Sequence, residues 1–439
     1  MSVGNFTDAG FAELAARVGQ VEGFPVIARV APDGQWAEYL SHIPGLVVTT
    51  LPTREYIWTE DIIEIGLDGT FGMTARMGNR GQLRRSLFVD RMRRFYPELT
   101  STDLEEINAL PEVQGPLPGE LPAHVMRRYP DILFDIQGLV ERDAGQDVGA
   151  AIAVARGAKL REAMTYLEGG NVLVGTRPTG EPYALVGRDS AAVARAVLEH
   201  HFKRPVSEAE VIATMAKDLG VAPVRLFLVE QPGVFHLDLA VLLLAPGSVV
   251  LNDALEAFRL QTMWLRDDHA VSLPRREAAA SEEQYRRDLD LWWQAGDNLD
   301  ETIQKLWKYT ERTMRYEART LADLEAAGLK VVRVAGRFLH PARPADRDIM
   351  NFLNGEAGTS PHGRTYFVTQ GGDPRAERYI ADKLLAPGTG LDRLYVAPGL
   401  ISRDTLWERG GIGCRVKAEG DLVDLDGRGS NVNEDPLGR

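Results

Sequence analysis

The chain has 439 residues, 44% of them hydrophobic, and a formal net charge of -13. This charge argues against a nucleic-acid surface and favours cationic ligands, while the apolar share is enough for a large core. With a single cysteine, Cys414, both an intrachain disulfide and a cysteine-based zinc site are excluded. No apolar run reaches transmembrane length, and Met1 to Gln20 lacks the basic segment and apolar core of a signal peptide. The expectation is a soluble cytoplasmic protein without a membrane partner.

In chain order, Pro25–Val30 and Leu46–Leu51 read as short strands. Tyr56–Gly66 mixes apolar and polar residues, a turn follows at Leu67–Thr70, and Phe71–Ala75 returns as a strand. Leu110–Pro130 is proline-rich and irregular, and Ala150–Leu160 is helix or connection. Met164–Val174 reads as a strand broken by Gly169-Gly170, and Pro182–Val186 returns beside it. Ser190 is expected to cap a helix through Phe202. His200 and His201 fall near its end, as surface residues. A second helix starts at Ser207, carries Val211, Met215 and Leu219 on one face, and stops at Gly220.

Arg225–Glu230 is a strand, and Phe235–Leu244 with Ser248–Leu251 forms a hairpin about Ala245-Pro246-Gly247. Residues 253–296 break the rhythm and read as a mostly helical insertion. Asn298 with Glu301 has the spacing of a capping box and opens a long helix. Gly328 ends it. Strands follow at Leu329–Val334, Ile349–Leu353, Tyr366–Thr369 and Leu394–Ala397, with a helix at Pro374–Leu385. The tail, 421–439, is rich in Gly, Asp and Asn and is expected to be disordered. A strand pair, a helix and another strand recur four or five times without a fixed period.

The eight histidines show no HExxH or HxH spacing, and no phosphate-binding glycine loop follows a strand. Four places combine strand character, glycine and an ionisable residue. In Gly410-Gly411-Ile412-Gly413-Cys414 the glycines allow a sharp turn and close approach of backbone amides to a ligand. A buried thiol acting as a small hydrophobe is the alternative, but a core strand gains nothing from three glycines. In His236-Leu237-Asp238, strand alternation would put His236 and Asp238 on one side and Phe235, Leu237 and Leu239 in the core. A hydrogen-bonded pair at a strand end is the bland counterpart. Asp61, in Trp58-Thr59-Glu60-Asp61-Ile62-Ile63-Glu64-Ile65-Gly66, also suits an exposed strand edge, and Glu168 before Gly169-Gly170 also suits a turn.

Taken together and in order, these motifs resemble the pentein superfamily of guanidine-modifying enzymes. Leu167-Glu168-Gly169-Gly170-Asn171 is similar to a segment of arginine and agmatine deiminases, and the Trp58–Gly66 run to peptidylarginine deiminases. The resemblance spans about residues 25–418 and rests on these short motifs. It departs at Glu60, where arginine deiminases tend to have Arg, and in residues 253–296. It implies an α/β propeller of five pseudo-symmetric ββαβ units around a central site, in one catalytic domain over residues 1–420.

The same resemblance implies a hydrolase that converts a guanidinium to a ureido group. Cys414 would be the nucleophile and His236 the general acid and base. Asp61 and Asp238 would clamp the substrate nitrogens, and Glu168 would hold His236. Trp58, Glu60, Asn171 and Gly411 are placed as substrate-binding residues. Arg76, Arg80, Arg84 and Arg85 are candidates for a substrate carboxylate, or a solvated basic face. No metal or organic cofactor is needed, and an oligomer is compatible with the scheme. An amidinotransferase would share the first half-reaction, and a non-catalytic guanidinium binder would share the shell.

Overall fold

The computed structural model describes residues 6–30, 36–50, 64–65, 71–73, 100–102, 160–167, 169–232, 236–339 and 349–398. Helix α1 (Phe6–Glu22) leads into strand β1 (Val26–Val30). Helix α2 (Trp36–Ser41) then crosses to β2 (Leu46–Thr50), which pairs parallel to β1.

Among the described residues four three-stranded sheets follow, and all share one design. In each, the first two strands are antiparallel and the third lies parallel beside the second. The first comprises β3 (Glu64–Ile65), β4 (Phe71–Met73) and β5 (Leu160–Glu162). The second comprises β6 (Val172–Thr176), β7 (Pro182–Gly187) and β8 (Leu226–Val229), with helices α3 (Arg188–Phe202) and α4 (Glu208–Leu219) in the crossover. The third comprises β9 (Val241–Ala245), β10 (Ser248–Asn252) and β11 (Lys330–Val334), crossed by helices α5 (Ala254–Val271) and α6 (Glu282–Ala326). A two-stranded ribbon, β12 (Arg337–Leu339) with β13 (Ile349–Asn351), leads to the fourth. That sheet comprises β14 (Glu356–Thr359), β15 (Thr365–Thr369) and β16 (Arg393–Val396), crossed by α7 (Pro374–Leu384).

The recurring ββαβ pattern is thus visible in the second, third and fourth sheets, and their first strands gather. β9 lies against both β6 and β14. The apolar core is divided between these units. Val186, Val193, Met215 and Leu226 join the second sheet to α3 and α4. Tyr183, Leu185, Val241 and Leu251 fill the space between the second and third sheets, and Phe338, Phe352, Phe367 and Ile380 that between the third and fourth. α1, α2 and β1 pack on Tyr366 and Val368 of the fourth sheet. There the carboxylate of Glu22, fully buried, accepts from Arg364 at 3.1 Å and from the Tyr395 hydroxyl.

Several local expectations need correction. α3 begins at Arg188 with Gly187 as its N-cap, so Ser190 lies buried in the first turn and does not cap. Arg188 is held there by a bidentate pair with Asp323 of α6. Met164–Val174 is not one strand. The Thr165 amide and hydroxyl both donate to Asp218 of α4, at 2.9 and 2.6 Å, and a single 3-10 turn at Gly169–Asn171 precedes β6. Asn298 does not open the long helix, which starts at Glu282 under a Ser281 cap accepting from the Gln284 amide. Glu301 pairs one turn on with Lys305 at 2.7 Å, and like pairs at Glu282–Arg286 and Glu283–Arg287 carry the helix through. The segment 253–296 is helical as expected. α5 is nonetheless part of the core, since Ala257 and Trp264 are buried with Phe338. Ser207 and Gly220 cap α4 as read, Ser207 in a full capping box with Glu210. Among the described residues no helix is long and apolar enough to cross a membrane.

α6 is tied to the third sheet through Glu317. Its carboxylate accepts from Asn252 at 2.7 Å, the Ala254 amide at 3.2 Å and Arg333 at 2.6 Å. Burial pushes this carboxyl up to about 7, against the opposing pull of Arg333, the Ala254 amide and Asn252. A carboxyl raised on folding stabilises fully below its unfolded value of 4.5, and that contribution is lost as pH rises through the folded value. Glu317→Gln removes the titration. Its melting temperature relative to wild type should therefore rise from about pH 5 to about pH 8. Calorimetry showing a flat or falling difference over that interval would contradict the account.

Candidate active site

The residues singled out by sequence fall into two groups. Asp61, Trp58, Glu60, Glu168, Gly411 and Cys414 lie outside the described residues, as do Arg76, Arg80, Arg84 and Arg85. His236, Asp238 and Asn171 are described, and the fold brings them together.

His236-Leu237-Asp238 is not on a strand. β9 starts only at Val241, and the preceding residues form a tight turn in which the amides of Ala240 and Val241 both donate to the Leu237 carbonyl, at 3.0 and 2.8 Å. The expected grouping survives by another route. Leu237 and Leu239 are in the core, while the His236 Nδ1 and Asp238 Oδ1 atoms stand 3.9 Å apart. That is too long for a hydrogen bond but close for charges in a dry environment. Both residues are buried, at 0% and 7% exposure.

The turn is fixed by the loop that enters the neighbouring unit. The Asp238 amide donates to the Gly170 carbonyl at 3.0 Å, and the Leu237 amide donates to Asn171 Oδ1 at 3.2 Å. Asn171 is fully buried, and this bond makes it a brace for the turn that carries His236 and Asp238. The glycine pair before it acquires a specific reason. A methyl group at Gly170 would lie 2.2 Å from His236 Nδ1 and 2.6 Å from its Cγ, so the imidazole packs directly on the backbone. At Gly187 a methyl group would lie 2.6 Å from Asn171 Oδ1.

Sequence reasoning missed a second brace, from the loop that enters the fourth unit. Asn354, fully buried, donates through Nδ2 to Asp238 Oδ2. Asn351 donates to the Leu239 carbonyl at 2.8 Å. The available signal was positional. Asn351-Phe352-Leu353-Asn354 directly precedes a first strand, as His236-x-Asp238 and Glu168–Asn171 do. Neutral amides carry no charge signature, so that signal passes unnoticed. Among the described residues no group of three or more His, Cys, Asp or Glu side chains is placed to hold a metal.

No protein-family model matches the chain, and no curated protein does. Among solved structures it is similar to the agmatine deiminase of C. jejuni, at 9% identity and a TM-score of 0.42, over 94% of this chain and 84% of that one. It is also similar to the agmatine deiminase of Enterococcus faecalis, at 11% identity and a TM-score of 0.47, over 94% and 87% of the two chains.

The close approach of His236 to Gly170 is open to test. Gly170→Ala must displace the ring or the turn, and overpacking of this kind costs about 1–3 kcal/mol. Chemical denaturation should show that loss, and the His236 ring resonances should shift. A variant with wild-type stability and unmoved resonances would contradict the contact.

Proposed function

We propose that this chain is a hydrolytic deiminase of the pentein class, acting on the guanidinium of arginine or an arginine-like molecule, whether free, decarboxylated or peptidyl. The observation that carries the reading is the buried meeting of His236 and Asp238 with the entry loops of the neighbouring units. An imidazole and a carboxylate held together out of water suit a planar cation rich in N–H donors. Position supports the rest. Asp238 precedes its first strand, at Val241, by three residues, and Asp61 precedes Glu64 of β3 by the same three. In the sequence Glu168 directly precedes Gly169–Asn171, the turn whose Gly170 lies against His236. In this reading the four repeated sheets, with β1 and β2 packed next to the fourth, belong to a five-unit ring whose entry loops point inward.

Each role follows from chemistry. Asp61 and Asp238 pair with the guanidinium nitrogens and set its central carbon before Cys414. The cationic substrate favours the thiolate, which attacks that carbon and forms the C–S bond. His236 gives a proton to the departing nitrogen, and ammonia leaves a thiouronium on Cys414. Glu168 steadies the charged imidazole. His236 then takes a proton from water, whose oxygen adds to the same carbon. Collapse breaks the C–S bond and releases the ureido product and the thiolate. Atoms balance as guanidinium plus water giving a ureido group plus ammonium. Trp58, Glu60, Asn171 and Gly411 complete the pocket in this scheme, Asn171 through the turn it braces. The acidic chain, at -13, suits attraction of a cationic substrate.

Arginine, agmatine and a blocked arginine peptide, each assayed for ureido product and ammonia, should separate the substrate classes. Adding an amine acceptor separates hydrolysis from amidino transfer. For whichever substrate is turned over, Cys414→Ala should lower the rate by about a thousandfold or more. Full activity in that variant would sink the mechanism, and binding without turnover would favour a non-catalytic guanidinium binder.

A further inference from the structure

We infer that Asn354 is a positioning residue for the carboxylate of Asp238, setting its orientation toward the substrate guanidinium. The inference deepens the deiminase reading and rests on it. Asn354 is fully buried, and its Nδ2 donates to Asp238 Oδ2 across two units of the fold. Asp238 Oδ1 is thereby turned to the side where His236 Nδ1 lies, at 3.9 Å.

The loop that carries Asn354 is itself held fast. The Gln370 side chain donates to the Asn351 carbonyl, and the Thr369 hydroxyl donates to the Phe352 carbonyl at 2.8 Å. The Leu353 amide donates to Asn351 Oδ1 at 3.1 Å, and the Phe352 amide to the Gly336 carbonyl at 2.7 Å. Asn351 in turn reaches across to the Leu239 carbonyl, which joins the two entry loops at a second point.

The residue type matters as much as its place. A neutral amide orients the carboxylate while leaving its negative charge for the substrate. Lys or Arg at the same place would neutralise that charge and compete with the guanidinium. Leu would leave a buried carboxylate oxygen without this donor. Asn354 therefore sets how well Asp238 discriminates a cationic guanidinium from the neutral ureido product of the same shape.

The test compares wild type with Asn354→Leu, using the guanidine that wild type hydrolyses and its ureido product as a competitive inhibitor. The KM for the guanidine should rise about ten- to a hundredfold, the range set by a hydrogen bond to a charged group. The inhibition constant of the ureido product should stay nearly unchanged, while the melting temperature falls as one buried hydrogen bond is lost. A merely structural role would weaken both ligands alike, and that result, or no change in either, overturns the inference. If Asn354→Leu does not fold, Asn354→Ser gives the same comparison with a smaller side chain. Wild type that makes no ureido product removes the deiminase reading and this inference together. Wild type that depends on Cys414 but ignores the change at Asn354 removes only the inference.

Discussion

The arrangement depends on one contact, the imidazole of His236 lying on the bare backbone of Gly170. No side chain fits between them. Around it, the Asp238 amide meets the Gly170 carbonyl, the Leu237 amide meets Asn171, and Asn354 meets Asp238. Loops from three successive units are thus locked together by buried hydrogen bonds. Such bonds are worth most where water is absent, and each left unmade would cost the full desolvation of its donor or acceptor. The ionisable pair is consequently held in place without support from bulk water.

The repeated sheets explain why these loops can meet at all. In the second, third and fourth units the first strands lie together, with β9 against both β6 and β14. Residues just before a first strand therefore arrive at a shared place, whatever their separation along the chain. Asn171, Asp238 and Asn354 do so over nearly the whole second half of the described structure. The apolar clusters between sheets hold the units in register, and Glu22 and Glu317 tie the outer helices to them.

Much of this was legible in the amino-acid sequence. Many strand and helix positions from Pro182 onward follow from period, caps and turn residues, as at Ser207, Gly220 and Ala245-Pro246-Gly247, but the short strands β12 and β14 were not expected and β9 begins at Val241 rather than Phe235. Failures came where tertiary bonds override local signals. Ser190 looks like a cap, but Arg188 and Asp323 fix the helix start earlier. Asn298 looks like a cap, but i,i+4 ion pairs carry α6 straight through it. Thr165 has strand character, yet its amide is taken by Asp218. His236 and Asp238 were grouped correctly for the wrong reason, since a turn and not strand alternation brings them together. Asn351 and Asn354 escaped because an amide's role is visible only once its partner from another loop is in view.

In the mechanism we propose, Cys414 attacks a cationic planar carbon held by carboxylates. Alkylation by chloroacetamidine, a cationic amidinium carrying a leaving group, tests this most directly when compared with neutral chloroacetamide. Peptide mapping should place the amidine on Cys414, with saturable kinetics, protection by the guanidine substrate, and a rate far above that of the neutral reagent. Equal slow rates for the two reagents, without protection by substrate, would contradict it.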